Sequence, residues 1–268
     1  MVGKFDFFMY IDSMILSSQP KLPYQSLPVN HIGRDYFVGD IHGEFAKLHE
    51  DMKKMGFRFD IDRIISVGDL VDRGEHSEWA EEWLRQPYFY AVRGNHEELY
   101  LQWRSLKDNK DAQRVFESEM YFPNGGRWVA DTDEDTHERL FSIFSNLPYM
   151  ITVPTAKGKL VGAVHAGLPD GCSWPQMINE PLTPHKIEDM IWSRNRILHA
   201  LGEKSAMNVV DEGVIPGLDA VVCGHIIVPQ PIWAGKFCYI ETAGWRSKGH
   251  FTIIDIDHIV NTARNKGQ

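Results

Sequence analysis

Two side chains that can bind a metal ion stand two residues apart early in the chain, Asp40 and His42. They lie between Gly39 and Gly43, directly after a short hydrophobic run that is typical of a strand. Because successive strand side chains alternate in direction, Asp40 and His42 can point the same way. A carboxylate oxygen and an imidazole nitrogen at this spacing can supply half of a divalent metal site. An isolated Asp-x-His pair also arises by chance, so the other half must be found elsewhere.

Four later turns supply further side chains of these types, and each turn contains glycine. Asp69 and Asn95 follow predicted strands in the first half of the chain, and His165 and His225 follow strands in the second half. Taken singly, each has a structural explanation, such as a helix cap, a left-handed turn or a hydrogen-bonded core histidine. Together they indicate one site. A shared carboxylate with imidazole and oxygen donors suits a pair of Mn, Fe or Zn ions better than Ca, and such a pair can activate water for attack on a phosphoester.

The elements that carry these turns alternate regularly in the first half of the chain. Predicted strands cover residues 36–38, 63–67 and 89–92, and predicted helices cover residues 45–55, 77–84 and 97–106. This alternation predicts an α/β fold with a mainly parallel sheet, whose ligand sites lie beyond the carboxyl ends of the strands. Further strands are predicted at 149–153, 160–164, 220–223, 237–240 and 251–254.

The sequence predicts a single catalytic domain over residues 34–268. It contains no repeat, linker or low-complexity tract that would mark a second domain. Residues 1–33 are expected to form an N-terminal extension of unknown role, since prolines interrupt their second half.

Composition limits the classes of partner. The 268 residues carry 28 Lys and Arg against 37 Asp and Glu, a net charge of −9, which argues against nucleic acid as a partner. Three cysteines without a Cys-x-x-Cys pair imply no disulfide framework and favour a reducing cytoplasm. No stretch is long and apolar enough to span a membrane, so a cytoplasmic protein is expected. The oligomeric state is left open.

The segment between the third predicted helix and residue 148 is rich in aromatic residues. Asn124-Gly125-Gly126 predicts a turn, and the aromatic residues around it, Tyr121, Phe122 and Trp128, fit either core or the wall of a substrate groove. We expect core.

Three of the glycine turns resemble the signature motifs of the metallophosphoesterase superfamily and, more narrowly, of the phosphoprotein (serine/threonine) phosphatase family. They read Gly-Asp-Ile-His-Gly at 39–43, Gly-Asp-Leu-Val-Asp-Arg-Gly at 68–74 and Gly-Asn-His-Glu at 94–97. Residues 165–167 (His-Ala-Gly) and 224–225 (Gly-His) resemble the two later histidine motifs. The resemblance spans about residues 34–256 and is nearest to the small bacterial and bacteriophage lambda-type phosphatases. One departure is Ile226, where the family usually has threonine, and we expect it to tune activity.

The resemblance implies a fold and a metal centre. The implied fold is the four-layer calcineurin-like arrangement, in which two packed β-sheets are flanked by helices. Two divalent ions, most often Mn with Fe or Zn as alternatives, would be bound by six ligands with Asp69 bridging: Asp40, His42, Asp69, Asn95, His165 and His225. The first two would bind one ion and the last three the other.

The resemblance also implies catalytic roles. His96 would be the general acid that protonates the departing alkoxide, and Asp72 would hold its imidazole. Arg73 and Arg93 would bind the phosphoryl oxygens, and Arg194 rather than Arg196 would supply a further phosphate contact.

The implied activity is hydrolysis of phosphoserine and phosphothreonine in proteins, and of phosphotyrosine in addition, by in-line attack of a hydroxide bridging the two metal ions. Phosphorylated proteins or small phosphoesters would be the partners. A first alternative is a symmetrical dinucleoside tetraphosphate hydrolase, which shares the metal ligands but usually lacks the carboxylate present here at Asp72. A second alternative is a non-catalytic metal-binding module, although no ligand and neither member of the His96–Asp72 pair is missing.

Overall fold

The computed structural model describes residues 20–202 and 215–266. A four-stranded sheet in these ranges contains the first three predicted strands. In spatial order its strands are β10 (Ile253–Asp255), β2 (Asp35–Val38), β3 (Arg63–Ser66) and β4 (Phe89–Ala91). β2, β3 and β4 are parallel, and β10 pairs antiparallel with β2. Val38 pairs with Ser66 and Ser66 with Ala91, so the three parallel strands end level and their turns leave from one edge.

A six-stranded mixed sheet is built mostly from the second half of the chain. In spatial order its strands are β1 (Tyr24–Ser26), β5 (Met150–Pro154), β6 (Leu160–Ala163), β7 (Ala220–Cys223), β9 (Phe237–Tyr239) and β8 (Ile232–Ala234). β6 and β7 are parallel and Ala163 pairs with Val222. His165 and His225, which follow these two strands, therefore lie at the same edge.

Helices flank both sheets, and the last of them contributes apolar side chains to the cluster between the sheets. In chain order they are α1 (Phe45–Lys54), α2 (Ala80–Leu84), α3 (Asn95–Ser105), α4 (Lys110–Phe116), α5 (Glu134–Phe144), α6 (Trp174–Asn179), α7 (Pro184–Trp192), α8 (Asn195–Ala200) and α9 (Ile256–Lys266). Short 3₁₀ turns lie at Ser77–Trp79, Phe122–Asn124 and Gly126–Asp131, and a π-helical turn lies at Glu117–Tyr121. No helix among the described residues is long and apolar enough to cross a membrane.

Apolar side chains fill the space between the two sheets. Phe37 and Ile65 from the smaller sheet meet Val161 and Val222 from the larger one, and all four are fully buried. Burying a side chain of this size contributes about 1.5–3 kcal/mol. Alternate residues such as Tyr36 and Ile64 face the other way and pack against α1, α2 and α3. A matching cluster joins the outer face of the larger sheet to α6, α7 and α8.

The layers therefore run helix, sheet, sheet, helix, and the predicted α/β fold of two packed sheets is confirmed. The parallel sheet predicted for the first half is present, with one antiparallel strand added at its edge.

The folded unit begins earlier than the boundary expected at residue 34. β1 pairs in parallel with β5, and Leu27 is buried while its N–H donates to the carbonyl of Thr152 at 2.9 Å. Residues 24–27 thus belong to the larger sheet rather than to a surface extension. Residues 1–19 lie outside the described residues, and the division of the chain into domains stays a prediction.

Candidate metal centre

Turns from both sheets bring two groups of metal-binding side chains together. One group comprises His42, Asp69 and His96, and the other comprises Asp69, His165 and His225; within each group the ligand atoms lie within 4.8 Å of one another. Asp69 belongs to both groups and is 1% exposed. A buried carboxylate shared in this way can bridge two cations.

Backbone hydrogen bonds join the first turn of the centre (residues 39–43) to the second turn (residues 68–74). The N–H groups of Ile41 and His42 both donate to the carbonyl of Asp69, at 3.0 and 2.8 Å, and Gly43 donates to Leu70 at 2.8 Å. Asp40 and Asp69 are therefore held at a fixed separation by main-chain atoms.

Glu97 holds the third turn of the centre (residues 94–97) against the second turn through three hydrogen bonds. Its carboxylate accepts from the N–H groups of Asp69 (3.0 Å), Leu70 (2.7 Å) and Gly94 (2.8 Å), and it is fully buried. Burial and the charge of Asp69 raise the pKa of Glu97 to about 7. Gly94 lies so close to Asp69 that a Cβ there would stand 2.2 Å from Asp69 Oδ1. Only glycine allows this approach.

Backbone strain is concentrated at the centre. Five of its residues adopt a positive φ although they are not glycine: His42 (47°), Asp69 (51°), Asp72 (70°), Arg73 (70°) and His225 (65°). Each such conformation costs about 1–3 kcal/mol and persists where the surrounding structure enforces it.

Two imidazoles are oriented by backbone carbonyls. Nδ1 of His42 lies 2.8 Å from the carbonyl of Val71, and Nδ1 of His165 lies 2.7 Å from that of Val67. Since a carbonyl only accepts, each Nδ1 carries the proton. This leaves Nε2 on the side of Asp69, 3.7 Å from Oδ2 for His42 and 3.3 Å from Oδ1 for His165.

The electrostatics of the centre favour positive charge beside Asp69. Burial alone would raise the pKa of Asp69, but the imidazoles of His165 and His96 hold it well below its usual range. Burial opposes charge on His165, yet the Asp69 carboxylate raises its pKa to about 9. Burial together with a neighbouring imidazole lowers the pKa of His225 to about 3 and that of His42 well below the ordinary value. His42 and His225 are thus neutral at pH 7, the form that binds a metal.

The other two expected ligands lie against these groups. Asn95 Oδ1 is 2.8 Å from His165 Nε2. The Asp40 carboxylate accepts from the N–H of His225 at 3.1 and 3.2 Å, and it is not a member of either group. Burial, with the carboxylates of Glu241 and Asp69, raises the pKa of Asp40 well above its usual range.

His96 and Asp72 form a buried pair at the edge of the first group. His96 Nδ1 lies 2.7 Å from Asp72 Oδ2, and neither side chain is exposed. His96 Nε2 is 3.7 Å from Asp69 Oδ2 and has no hydrogen-bond partner among the described residues. This nitrogen points into the centre.

The four candidate phosphate-binding arginines of the sequence lie in different environments. Arg73 is exposed, donates to His42 Nε2 at 2.7 Å and lies over the Trp245 ring at 5.1 Å. Arg194 is exposed at the start of α8, and its charge helps to lower the pKa of His225. Arg196 is buried and pairs with Asp170 at 2.9 Å.

Arg93 is fully buried. Its guanidinium donates to the carboxylate of Glu98 and to the carbonyl of Ser145, each at 3.0 Å. It also donates to the hydroxyl of Tyr149 at 3.1 Å. All three partners are groups of the protein itself. Arg93 would have to give up these hydrogen bonds to contact a phosphate.

Sequence reasoning missed two residues of the centre, Glu241 and Trp245. Glu241 accepts from the N–H of Asp40 at 2.9 Å and of Ala243 at 2.7 Å, and burial raises its pKa to about 7. The Trp245 ring stands edge-on to His42, with centroids 5.1 Å apart. The sequence signal that could have identified them is the polar turn that follows β9, since the other ligand turns also follow strands.

The donor set fits a pair of divalent cations. The shared carboxylate is buried, and His42 and His165 direct Nε2 to the side of Asp69. Mixed carboxylate and imidazole donors select borderline transition metals.

Comparison with known proteins decides the family. The sequence profile described as calcineurin-like phosphoesterase matches residues 35–229. The chain is a calcineurin-like phosphoesterase. The resemblance seen in the motifs is thereby confirmed.

This phosphoesterase has curated bacterial relatives. It is 31% identical over 216 residues to serine/threonine-protein phosphatase 2 of Salmonella typhimurium (strain LT2), covering 79% of this chain and 88% of that protein. It is 30% identical over 228 residues to serine/threonine-protein phosphatase 1 of the same strain, covering 84% and 93%.

Solved structures share its fold. A structure provisionally described as a diadenosine tetraphosphatase matches with a TM-score of 0.56 at 19% identity, covering 87% of this chain and 98% of that one. A serine/threonine phosphatase from Saccharomyces cerevisiae matches with a TM-score of 0.51 at 18% identity, covering 88% and 78%. At these identities the likeness concerns the fold alone.

Proposed function

We propose that this phosphoesterase hydrolyses phosphoserine and phosphothreonine in proteins, and phosphotyrosine as a further substrate, with the help of two divalent metal ions. The curated relatives named as serine/threonine phosphatases support this substrate class. The observation that carries the proposal is the buried His96–Asp72 pair beside two groups of ligands that share Asp69.

Mn is the proposed native metal, with Fe or Zn as alternatives: the imidazole and carboxylate donors suit all three, and the preference for Mn follows the family resemblance. When bound, such ions supply an activated water and neutralise the charge of the phosphoryl group. Asp40, His42, Asp69, Asn95, His165 and His225 would hold them.

His96 is the proposed general acid. Its Nε2 faces the centre and has no hydrogen-bond partner within the part of the chain that the structure describes, so in the imidazolium form it can donate a proton to the oxygen of the leaving alcohol as the P–O bond breaks. Asp72 accepts from Nδ1–H and so holds the ring in the orientation that directs Nε2 at the substrate; the proton donated is the second one of the imidazolium form, which carries N–H on both nitrogens.

Arg73 and Arg194 are the proposed phosphate contacts. Both are exposed, Arg73 touches His42, and the charge of Arg194 reaches His225. Guanidinium groups bind phosphoryl oxygens through charge-assisted hydrogen bonds.

The deciding experiment is a Mn-dependent assay of the full chain on a phosphoserine peptide, phenyl phosphate and a dinucleoside tetraphosphate. We expect turnover of the first two, and its loss in Asp69→Asn. Strong tetraphosphate cleavage with negligible phosphopeptide turnover would instead identify the dinucleotide hydrolase.

Metal analysis separates the enzyme from a non-catalytic module. We expect about two metal ions per chain after reconstitution with Mn, since a dinuclear centre needs both. Fewer than about one would contradict the enzyme proposal.

A further inference from the structure

Both oxygens of the Asp72 carboxylate are engaged by side chains. Oδ2 faces Nδ1 of His96, while Oδ1 accepts from the indole N–H of Trp128 at 2.6 Å and from the hydroxyl of Tyr121 at 3.2 Å. Asp72 and Tyr121 are fully buried. The two aromatic residues expected to be core are therefore also hydrogen-bond donors to one carboxylate.

The segment that carries these donors packs closely against the second turn of the centre. Gly125 has φ of 105°, its carbonyl accepts from the N–H of Arg73 at 3.3 Å, and a Cβ on it would lie 2.8 Å from that nitrogen. A Cβ on Gly126 would stand 2.4 Å from the Tyr121 ring. The turn at residues 124–126 thus uses glycine to bring Tyr121 and Trp128 up to Asp72.

The hydrogen bonds to Asp72 hold His96 in place as well as the carboxylate itself. Three donors on two oxygens leave Asp72 no freedom to rotate, and Asp72 is the partner that orients His96. A general acid works only within hydrogen-bond reach of the atom that it protonates, and small displacements of a reacting group cost large factors in rate.

We propose that Tyr121 and Trp128 are positioning residues for the proton transfer, acting through Asp72 on the ring of His96. The inference rests on the proposed function, in which His96 protonates the leaving oxygen. Neither aromatic residue is required to touch the substrate.

Kinetics on two ester types test this role with Trp128→Phe and Tyr121→Phe, which remove one donor each; Tyr121→Phe keeps the ring, and Trp128→Phe keeps an aromatic side chain smaller than the indole. The matched controls are Trp103→Phe, whose indole donates to Glu117 at 2.8 Å, and Tyr100→Phe, whose hydroxyl lies 3.0 Å from His137 Nδ1. Both controls remove a hydrogen bond from the same aromatic region without touching Asp72.

We expect Trp128→Phe to lower kcat on a phosphoserine peptide about tenfold, part of the factor that a general acid contributes. On 4-nitrophenyl phosphate, whose leaving group needs little protonation, the fall should stay within about twofold, and KM should change little on either substrate. Tyr121→Phe should act in the same direction but less, because its bond to Asp72 is longer. The controls should leave the ratio of the two kcat values unchanged.

A double-mutant cycle gives the sharper outcome. In a His96→Asn background, Trp128→Phe should cause no further loss on the phosphopeptide, because the group that it positions is gone. A loss of equal size in both backgrounds, or on both esters, would show that Trp128 acts only through stability and would overturn the inference.

Proton NMR tests the same contact without turnover. The His96 Nδ1–H resonance, expected far downfield because of its bond to Asp72, should shift or broaden in Trp128→Phe and stay in place in Trp103→Phe. An unchanged resonance in Trp128→Phe overturns the inference even if the wild type hydrolyses both esters. A wild type that hydrolyses neither ester defeats the proposed function, while the resonance still reports on the positioning contact.

Discussion

Nδ1 of His96 lies 2.7 Å from Oδ2 of Asp72, and the two side chains are wholly buried beside Asp69. A histidine held in this way has one nitrogen committed to a carboxylate and one directed at the ligand groups. Proton transfer by His96 and metal binding by the ligand groups can therefore be tested with separate variants.

Replacing His96 should slow chemistry selectively. We expect His96→Asn to lower kcat on alkyl phosphates by about 10²–10⁴-fold, the usual contribution of an acid–base group, and to affect aryl phosphates much less. Steady-state assays on both ester types measure this, with His76→Asn in the half-exposed neighbouring turn as control. Equal losses on both esters would rule out the general-acid role.

Removing the charge of Asp69 should abolish metal binding. Asp69 is shared by both ligand groups, so Asp69→Asn weakens both at once. We expect metal content after Mn reconstitution to fall to near zero, measured by elemental analysis. Asp60→Asn, a change at an exposed carboxylate, should retain full content. Retention of two ions by Asp69→Asn would mean that Asp69 is not the bridge.

The close approach of Gly94 to Asp69 can be tested by adding one methyl group. In Gly94→Ala the new Cβ would meet Asp69 Oδ1 at 2.2 Å, so the carboxylate must move. We expect Mn affinity to fall about 10–100-fold, as when a residue that supports a metal ligand is lost. Gly167→Ala is the control, because among the described residues the atoms nearest to its Cβ would lie 3.9 Å away. Calorimetric titration with Mn measures both.

Metal binding should release a proton at neutral pH. The pKa of His165 is raised to about 9, so its imidazole is protonated at pH 7 and must lose that proton to bind a metal. Mn affinity should therefore rise as the pH increases towards 9. Titration calorimetry at pH 7 in buffers of different ionisation enthalpy should report net proton release, to which His165 contributes about one proton per chain and Asp40, whose pKa is also raised, can add. Heats that do not depend on the buffer would contradict this assignment.

The strand-end turns were predictable because their signals are local. A hydrophobic run followed by glycine and a ligand-type side chain specifies a strand and a turn within a few residues, and parallel pairing then brings the turns to one edge. Parallel pairing of β6 and β7 brings His165 and His225 to one edge of the larger sheet, and the packing of the two sheets brings that edge to Asp69.

Other features depend on partners far along the chain. β1 is three residues long and carries no periodic pattern, so only its pairing with β5 defines it. Glu241 reaches Asp40 across 201 residues. Arg93 stands beside a signature motif, yet its partner Glu98 lies on the buried face of α3, and no pattern within the motif reveals that.

Main-chain bonds join several turns of the centre, in addition to the links that the carboxylates of Asp40 and Asp69 make. Ile41 and His42 donate to the carbonyl of Asp69, and Gly224 donates to that of His165 at 2.8 Å. Replacing a ligand side chain leaves these bonds in place. These backbone bonds can therefore hold the turns in place while the metal ligands change one at a time. A protein descended from this one could exchange one metal ion, or one reaction, for another without evolving a new fold.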